Sequence, residues 1–395
     1  MIKFKTYIKN VVNTVYAILN YVCFLIRDYP KIKNCECLFF FPYYHTGGAE
    51  KVHINILNAI SEKKCTVVFT MGSATKSLYN EFRNSAKIVE LNSILNKRNK
   101  WINEHLQKSI VGAINKKSTV KIVFGCNNSY YYQLISNIKA TINKFDLFHA
   151  FEENDSRISD VVSSVSSIDK RIVINLKAKN DIIAFYKSHN ISDRYIQNIE
   201  IIQNGIELSE KIYSNKNDNA VKVGFVGRWS HEKRPELFLE IAKKIQSKVS
   251  NIEFVMVGTG MKNNIDLINK AAVTFLGEIT NEEKMIDLYK SLHFIAITST
   301  SEGFPMVVME AMSHGVIPIS TNVGGIYEHI AHQKNGLLVN AINEDAIIDQ
   351  FCEAVLYLTN HLSEKNKMSK AAFDYARENF GIEKFNKAYQ ELLLQ

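Results

Sequence analysis

Residues 294–312 read Phe-Ile-Ala-Ile-Thr-Ser-Thr-Ser-Glu-Gly-Phe-Pro-Met-Val-Val-Met-Glu-Ala-Met, and this stretch has the pattern of a strand, a turn and a helix. The apolar run 294–298 is typical of a buried strand. Pro305 suits the first turn of a helix, where its missing N–H costs nothing. The N–H groups of Met306 and Val307 would then point out of the helix end, where the macrodipole favours an anion such as phosphate.

Two glutamates, Glu302 and Glu310, stand eight positions apart on either side of this turn. An ordinary strand-to-helix turn with two solvated glutamates is one interpretation. The string also resembles the E-x7-E signature of retaining glycosyltransferases of the GT-B fold, in particular glycosyltransferase family 4. The resemblance implies that Glu302 binds a hydroxyl of the transferred sugar, that Glu310 binds the ribose, and that Gly303, Phe304 and Pro305 border the donor.

A basic loop follows the apolar run 223–227 and precedes an amphipathic stretch at 236–245. The loop reads Arg-Trp-Ser-His-Glu-Lys-Arg-Pro from Arg228 onward. Arginine offers a fixed fork of donors and lysine a mobile point charge, and both suit phosphate. A solvated cationic loop is the alternative. The resemblance assigns Arg228 and Lys233 to the diphosphate of the donor.

The composition is that of a globular protein with a mild basic excess. The 395 residues favour two domains, and the net charge is 48 − 40 = +8. This excess suits anionic partners such as nucleotide diphosphates, phospholipid headgroups or lipid-linked phosphates. No basic stripe with interleaved aromatic residues occurs, so nucleic acid is not expected as a partner. The six cysteines are scattered without metal-ligand spacing, which predicts reduced thiols in a cytosolic protein.

The N-terminal residues 2–26 place apolar side chains at helical spacing, with lysines at 3, 5 and 9. The apolar run is too interrupted for a confident bilayer span, and no small-residue cleavage site follows it. Two interpretations stay open. The segment can lie in a membrane interface as a basic amphipathic helix, or it can pack on the protein's own surface.

Short apolar runs alternate with helical patterns through the rest of the chain, which predicts parallel sheets covered on both faces. The predicted strands are 37–41, 66–70, 87–91, 120–125, 147–148 and 172–174 in the first half and 223–226, 253–257, 273–276, 294–297, 316–319 and 336–339 in the second. The fold class is therefore α/β, with two Rossmann-like domains in the GT-B arrangement and ligands at the carboxyl ends of the strands.

Five segments follow from the pattern and the resemblance together. They are an N-terminal amphipathic helix (1–34), an acceptor-binding domain (35–208), a linker (209–220), a nucleotide-sugar-binding domain (221–380) and a C-terminal helix that crosses back to the first domain (381–395). The polar composition of the linker marks the boundary. Just before it, residues 201–206 resemble the family's "pNGvd" element, with Gln203 in place of the usual proline.

Four further positions complete the expected donor site. Gly47 and Gly48 precede a helix that follows the first strand, so backbone can approach a ligand closely there. The resemblance places these glycines at the donor phosphates and sugar. It also places Gly258 and Ile279, in loops after two strands of the second half, near the nucleobase. The turn at 324–328, Gly-Gly-Ile-Tyr-Glu, resembles the family's "GG-x-x-E" and is expected to be structural.

The region 145–154 resembles the family's "D-v-v-H-x-H" strand end. His149 matches the first histidine and is the catalytic candidate of the first domain. Phe151 stands where the second histidine is usual, and Glu152 and Asp155 are polar candidates nearby. A single histidine at a strand end is also compatible with a purely structural role.

The resemblance implies a retaining transfer from a nucleotide-diphosphate sugar to a glycan or lipid-linked glycan, as in lipopolysaccharide, capsule or exopolysaccharide synthesis. Cations from Arg228 and Lys233 would stabilise the departing diphosphate. No Asp-x-Asp pair occurs, so neither a metal nor another cofactor is expected. The expected location is the cytoplasm or the cytoplasmic face of the inner membrane.

Two competing functions are weighed against this one. A nicotinamide-dependent enzyme would need a third glycine after Gly258 and Gly260, but position 263 is asparagine. An inactive GT-B protein acting as a partner or regulatory subunit remains the alternative, because Phe151 replaces the second histidine.

Overall fold

Two compact units make up the chain. The computed structural model describes residues 2–96, 99–116, 118–151, 157–209, 212–217 and 220–394, with side chains from residue 13 onward. Unit 1 comprises Met1–Val173, Lys179–Ile202 and Asn386–Gln395, and unit 2 comprises Ile174–Ala178 and Gln203–Phe385.

Unit 1 is built on a seven-stranded parallel sheet with the strand order β3-β2-β1-β4-β5-β6-β7. Its strands are β1 (Cys37–Phe41), β2 (Cys65–Phe69), β3 (Lys87–Glu90), β4 (Ile122–Cys126), β5 (Asn143–Phe148), β6 (Lys170–Val173) and β7 (Ile199–Ile201). The adjacent strands β2, β1 and β4 are mostly apolar and buried at every position, as expected for a parallel sheet covered on both faces.

Helices connect these strands. They are α1 (Ile2–Cys23), α2 (Tyr29–Lys33), α3 (Gly48–Ala59), α4 (Tyr79–Ser85), α5 (Asn92–Leu95), α6 (Lys100–Asn115), α7 (Ser129–Ile135), α8 (Ile158–Ser164) and α9 (Leu176–Ser188). A π-helical segment, Phe24–Asp28, joins α1 to α2. The side chains of α1 from residue 13 onward contact α5 and α6: the Tyr21 hydroxyl lies 2.7 Å from Ser109 Oγ.

Unit 2 is built on a six-stranded parallel sheet with the strand order β10-β9-β8-β11-β12-β13. Its strands are β8 (Val221–Val226), β9 (Ile252–Val257), β10 (Thr274–Phe275), β11 (Phe294–Ile297), β12 (Ile317–Thr321) and β13 (Leu337–Val339). Its helices are α10 (Pro235–Gln246), α11 (Ile265–Lys270), α12 (Glu282–Ser291), α13 (Met306–Met312), α14 (Glu344–Asn360), α15 (Leu362–Asn379) and α16 (Ile382–Leu393). The core includes Phe225, Phe238 and Phe254, with neighbouring ring centroids 5.5 and 5.7 Å apart.

The division between the units differs from the predicted linker at 209–220, because the chain already belongs to unit 2 from Gln203 onward. Ile206 N–H donates to the carbonyl of Phe380 at 2.8 Å. A Cβ on Gly205 would lie 2.7 Å from Phe385 Cβ, so only glycine allows this approach. These tertiary contacts attach Gly205 and Ile206 to unit 2.

The last helix, α16, belongs to both units. Its residues up to Phe385 are part of unit 2, and Asn386–Gln395 are part of unit 1. In unit 1 the ring of Tyr389 lies 6.4 Å from that of Phe124, and Gln390 Nε2 donates to the carbonyl of Ala59 at 2.8 Å.

Two details of the predicted elements are wrong. The edge strand β7 was not expected, because its three residues, Ile-Glu-Ile, are too short to show a pattern. Pro305 lies at the cap of α13 with ψ of 134°, outside the helix, which begins at Met306. The Pro305 carbonyl accepts a hydrogen bond from Val308 N–H at 3.0 Å, so its extended backbone still starts the helix.

All six cysteines are free thiols. Among the described helices, none is long and apolar enough to cross a bilayer.

Candidate functional site

The strand order of the second sheet reverses between β8 and β11, which are adjacent. In open parallel sheets such a reversal opens a crevice at the carboxyl ends of the two strands, where ligands bind. The loop that carries Lys233 follows β8, and the loop that carries Glu302 follows β11. Two widely separated predicted site residues are therefore brought to one edge of the sheet.

Lys233 and Glu302 form a direct ion pair, with 2.5 Å between Nζ and Oε1. The same carboxylate oxygen accepts a hydrogen bond from Ser299 Oγ at 2.6 Å. The side chain of Glu302 is buried and that of Lys233 partly exposed. The pair therefore offers an ammonium and a carboxylate, side by side and with restricted access to water. Such a pair can bind a phosphate through its ammonium and a hydroxyl group through its carboxylate at the same time.

Arg234 fixes the position of this pair and was not expected from the sequence. Its guanidinium donates to the carbonyls of Thr298 at 2.6 Å and Ser299 at 3.1 Å. The hydroxyl of Thr298 returns a hydrogen bond to the Lys233 carbonyl at 2.8 Å. The backbone of Arg234 is left-handed, with φ of 46°. Its position directly before Pro235, at a helix start, is the only sequence signal that could have marked it.

The loop of Glu302 rests on the predicted glycine turn. Gly324 has φ of 57°, and a Cβ there would lie 1.6 Å from the Glu302 carbonyl oxygen. Gly325 N–H donates to the carbonyl of Gly303 at 3.0 Å. The amide of Asn175 donates to the same carbonyl at 3.1 Å. The backbone of the glycine turn thus packs directly against the backbone at Glu302 and Gly303. This contact limits the movement of the loop that carries the Glu302 carboxylate.

Glu328, at the end of that turn, has a structural role. Its carboxylate accepts from the N–H groups of Leu176 and Lys177 at 2.9 and 2.7 Å. These are the first two residues of α9, so Glu328 supplies acceptors that a helix start lacks. The expectation that this turn is structural agrees with these contacts.

The remaining residues of the 302–310 string are divided between interior and surface. Phe304 is buried, and its ring lies 4.3 Å from His329 and 5.4 Å from Phe380. Its side chain therefore anchors the loop, and its expected place beside the donor stays a prediction for its backbone. Glu310 is half-buried, and its Oε2 accepts from the Tyr289 hydroxyl at 2.7 Å. Gly303, Pro305, Met306 and Val307 form the turn and helix start between the two glutamates.

Gly258 brings the loop after β9 against the loop after β8. Its φ is 139°, and a Cβ there would lie 1.7 Å from the Gly227 carbonyl oxygen. Its N–H donates to the carbonyl of Gly277 at 3.1 Å, and Trp229 N–H donates to Thr259 at 2.8 Å. Ile279 follows in the half-buried loop after β10. Gly258 and Ile279, which are expected near the nucleobase, thus lie in neighbouring loops at one edge of the second sheet.

Arg228 stands apart from the ion pair. Its guanidinium is mostly exposed, and Nη2 lies 3.4 Å from Glu232 Oε1. Among the described residues, no hydrogen bond or ion pair joins Arg228 to Lys233 or Glu302. Its exposed guanidinium can move toward an incoming anion.

In unit 1, Gly47 and Gly48 start α3 as predicted. A Cβ on Gly47 would lie 2.2 Å from Glu50 Oε2, so the glycine leaves room for that carboxylate to fold back over the helix start. Glu50 is buried, and its Oε1 lies 3.9 Å from His45 Nε2.

His149 follows β5 and lies beside two side chains that the sequence did not single out, His53 and Cys126. One ring nitrogen of each histidine and the Cys126 Sγ lie within 4.8 Å of one another. Burial lowers the pKa of His53 well below its usual value and that of His149 to about 4, so both imidazoles are neutral at pH 7. Burial also raises the pKa of the Cys126 thiol.

The aspartate of the same motif has a structural role. Asp146 is fully buried and binds the buried guanidinium of Arg171 through two nitrogens, at 2.8 Å from Nη2 and 3.0 Å from Nε. Phe151 is buried against Phe148 and Phe185. The polar candidates Glu152 and Asp155 lie outside the described residues.

Residues 209–374 match the model of the family described as glycosyl transferases group 1. This segment contains β8 to β13 and both loops of the Lys233–Glu302 pair. Over this segment, which is less than half of the chain, the protein is similar to group 1 glycosyl transferases.

The curated proteins that this chain matches include glycosyltransferases of several organisms. An uncharacterised glycosyltransferase of Methanocaldococcus jannaschii is 33% identical over 33% of this chain and 34% of its own length. An α-1,4-N-acetyl-D-galactosaminyltransferase of Campylobacter jejuni, which acts on an undecaprenol-linked glycan, is 28% identical over 39% of this chain and 44% of its own. The O-antigen biosynthesis glycosyltransferase WbnH of Escherichia coli is 29% identical over 44% of this chain and 46% of its own length. The chain thus spans between about a third and half the length of these three relatives.

Solved structures resemble a larger share of the chain. Anabaena HepE in complex with UDP-glucose has a TM-score of 0.71 at 15% identity and covers 91% of this chain and 100% of its own. The lipopolysaccharide outer core galactosyltransferase WaaB has a TM-score of 0.66 at 17% identity over 91% of this chain and 98% of its own. At such low identity the likeness concerns the fold alone. The predicted GT-B fold, with two parallel-sheet units, is confirmed.

Proposed function

We propose that this protein is a retaining glycosyltransferase that moves a sugar from a nucleotide-diphosphate donor to a glycan or lipid-linked glycan. The observation that carries the proposal is the Lys233–Glu302 pair at the carboxyl ends of β8 and β11. It combines a cation for a phosphate with a carboxylate for a sugar hydroxyl. The UDP-glucose complex of HepE makes UDP-sugars the first donors to test.

In this proposal Lys233 releases Glu302 when donor binds and moves to the diphosphate. Glu302 then accepts a hydrogen bond from a sugar hydroxyl, and Glu310 accepts from the ribose. As the bond between the anomeric carbon and the diphosphate breaks, negative charge develops on the departing oxygen. Lys233, the mobile Arg228 and the N–H groups at the start of α13 stabilise that charge. The acceptor hydroxyl forms its bond to the anomeric carbon on the same face and gives its proton to the departing diphosphate oxygen, which retains the anomeric configuration.

No metal takes part in the donor site of this proposal, because side-chain cations take the place of a divalent ion. The test is a donor screen on purified protein against UDP-, GDP-, ADP-, dTDP- and CMP-sugars, with EDTA and with added Mg²⁺ or Mn²⁺. One nucleotide should raise the thermal unfolding temperature. At a concentration a hundredfold above its Kd, the stabilisation is about 2.7 kcal/mol. Slow release of that nucleotide should be equally fast in EDTA and in either metal.

The screen also separates this proposal from its alternative, a GT-B protein that acts as a non-catalytic subunit. Phe151, buried where the family's second histidine is usual, is the observation that favours the alternative. A nucleotide that binds without any turnover, in the presence of a cell-surface glycan extract as acceptor, would support it. Activation of release by Mg²⁺ or Mn²⁺ would contradict the metal-free donor site.

We propose further that α1 rests on an anionic membrane surface where lipid-linked acceptors lie. Five apolar side chains on α1 and the π-helical segment are exposed at helical spacing: Val15, Ile18, Leu19, Val22 and Ile26. The opposite side of the same helix is buried in unit 1 through Ala17 and Phe24. An apolar stripe of this kind favours an interface between headgroups and acyl chains.

Replacing Leu19 and Ile26 together by glutamate should lower the fraction of protein that sediments with phosphatidylglycerol-containing vesicles by roughly tenfold or more, since each apolar side chain contributes about 1.5–3 kcal/mol when buried. Ile342→Glu, at an exposed position of unit 2, is the matched control and should sediment like wild type. Equal sedimentation of all three proteins would contradict the membrane role, and so would a wild-type protein that stays in the supernatant.

A further inference from the structure

His53, Cys126 and His149 converge at the carboxyl edge of the first sheet. Cys126 ends β4, His149 follows β5, and His53 lies on α3, which follows β1. The strand order of this sheet reverses between β1 and β4. The three side chains therefore lie at the switch point of unit 1, the place where an open parallel sheet binds ligands.

We infer that His53, Cys126 and His149 form a binding site for a zinc ion. Two imidazole nitrogens and one thiolate make up a donor set that zinc takes in proteins, with a fourth position left for water or an anion. Zinc binding here needs neither a nucleotide nor the donor-binding residues of unit 2, although His149 is also the catalytic candidate of unit 1.

The distances suit such an ion. The two Nε2 atoms are 3.4 Å apart, and all three ligand atoms lie within 4.8 Å of one another. Tetrahedral zinc with Zn–N of about 2.05 Å and Zn–S of about 2.3 Å places its nitrogens about 3.3 Å apart and nitrogen and sulfur about 3.6 Å apart. The histidine nitrogens are already at that separation, and the Cys126 Sγ lies within 4.8 Å of both histidines' ligand nitrogens.

The surroundings of the cluster fix the ring of His53 and leave the side of His149 accessible. The ring of His53 stacks on Phe41, with centroids 3.9 Å apart and planes 3° apart. His53 and Cys126 are fully buried, whereas His149 is half-buried. The open coordination position therefore lies on the His149 side. Metal uptake releases the thiol proton of Cys126 to solvent, and the bound ion with one thiolate carries a net charge of +1.

A hydrogen bond between the two imidazoles alone leaves the cluster poorly satisfied. The facing Nε2 atoms can share one proton, and His53 Nδ1 has no hydrogen-bond partner among the described residues. Arg157 disfavours a cation here through its charge, and the buried carboxylate of Glu50 acts in the opposite direction.

The test is metal analysis of the full chain, purified under reducing conditions, incubated with zinc and desalted. We expect one zinc per chain, and replacement by Co²⁺ should give the intense near-ultraviolet band of a thiolate–cobalt bond. Cys126→Ser should abolish that band, and His53→Gln should weaken zinc binding at least tenfold. Cys352→Ser, which alters a buried thiol of unit 2, should change neither result.

Wild-type protein that retains no zinc and shows no thiolate–cobalt band would overturn the inference, whatever the variants do. A band of full intensity in a folded Cys126→Ser protein would overturn it as well. The measurement requires no activity, so it stands even when no donor sugar is found. Conversely, loss of the zinc site leaves the proposed donor chemistry of unit 2 untouched.

Discussion

Lys233→Ala is expected to lower kcat for sugar transfer by about 10²–10³-fold, the usual cost of removing one preorganised group that stabilises developing charge. The ammonium is held 2.5 Å from Glu302 at a sheet edge where the partner carboxylate is largely shielded from water. Charge on the departing diphosphate develops only in the transition state, so the loss should appear in kcat more than in the KM for donor.

Glu302→Ala should cause a comparable loss, because the carboxylate both positions Lys233 and accepts from the sugar. The double variant should be little worse than either single one, since the two residues act as a unit. Lys243→Ala is the matched control: this lysine of α10 pairs with Glu240 at 2.7 Å, and both side chains are well exposed. Full activity of Lys233→Ala, measured with the donor found by the screen, would remove Lys233 from the mechanism.

Gly258→Ala is expected to destabilise unit 2 by at least about 3 kcal/mol and to abolish nucleotide binding. The new Cβ would lie 1.7 Å from the Gly227 carbonyl oxygen, so two backbone segments must separate. The left-handed conformation adds about 1–2 kcal/mol for any residue with a Cβ. Urea unfolding followed by circular dichroism measures the change, and nucleotide titration reports the site.

Alanine variants of two other glycines distinguish the steric clash at Gly258 from the conformational cost of a positive φ. Gly277 also has a positive φ, of 82°, but a Cβ there meets nothing within 4 Å, so Gly277→Ala should cost only the conformational part. Gly112 lies inside α6 with open space around it, so Gly112→Ala should stabilise unit 1 by about 0.5–1 kcal/mol. Equal stability of the Gly258 and Gly277 variants would show that the close approach is unimportant.

Much of the fold could be predicted because buried parallel strands have nearly continuous apolar sequences. The predicted strand 294–297 coincides with β11 (Phe294–Ile297), and 37–41 coincides with β1 (Cys37–Phe41). β7 was missed because an edge strand of three residues has no such run. The start of unit 2 at Gln203 was not visible in the sequence, because membership of a unit depends on contacts such as that of Ile206 with Phe380.

Some residues of the site could likewise be predicted from the sequence, and others could not. Glu302 and Glu310 were visible because they stand in a recognisable string, and Lys233 because it stands in a basic loop after a strand. Arg234 and Asn175 were not, because their hydrogen bonds go to backbone carbonyls, which any sequence provides. Phe304 was predicted to border the donor because it stands within the string. Its ring packs in the interior against His329 and Phe380, which the sequence did not indicate.

The sequence by itself determined the two α/β halves, the strand ends and the chemical character of the loops, because periodicity and charge are local properties. Only the tertiary structure decided which of those loops meet. Lys233 and Glu302 are 69 positions apart, yet they share an ion pair because β8 and β11 are neighbours. His53 and His149 are 96 positions apart and meet at the carboxyl edge of the first sheet, although β1 and β5, which precede them, have β4 between them. Strand order depends on the packing of the whole unit, and no local pattern records it.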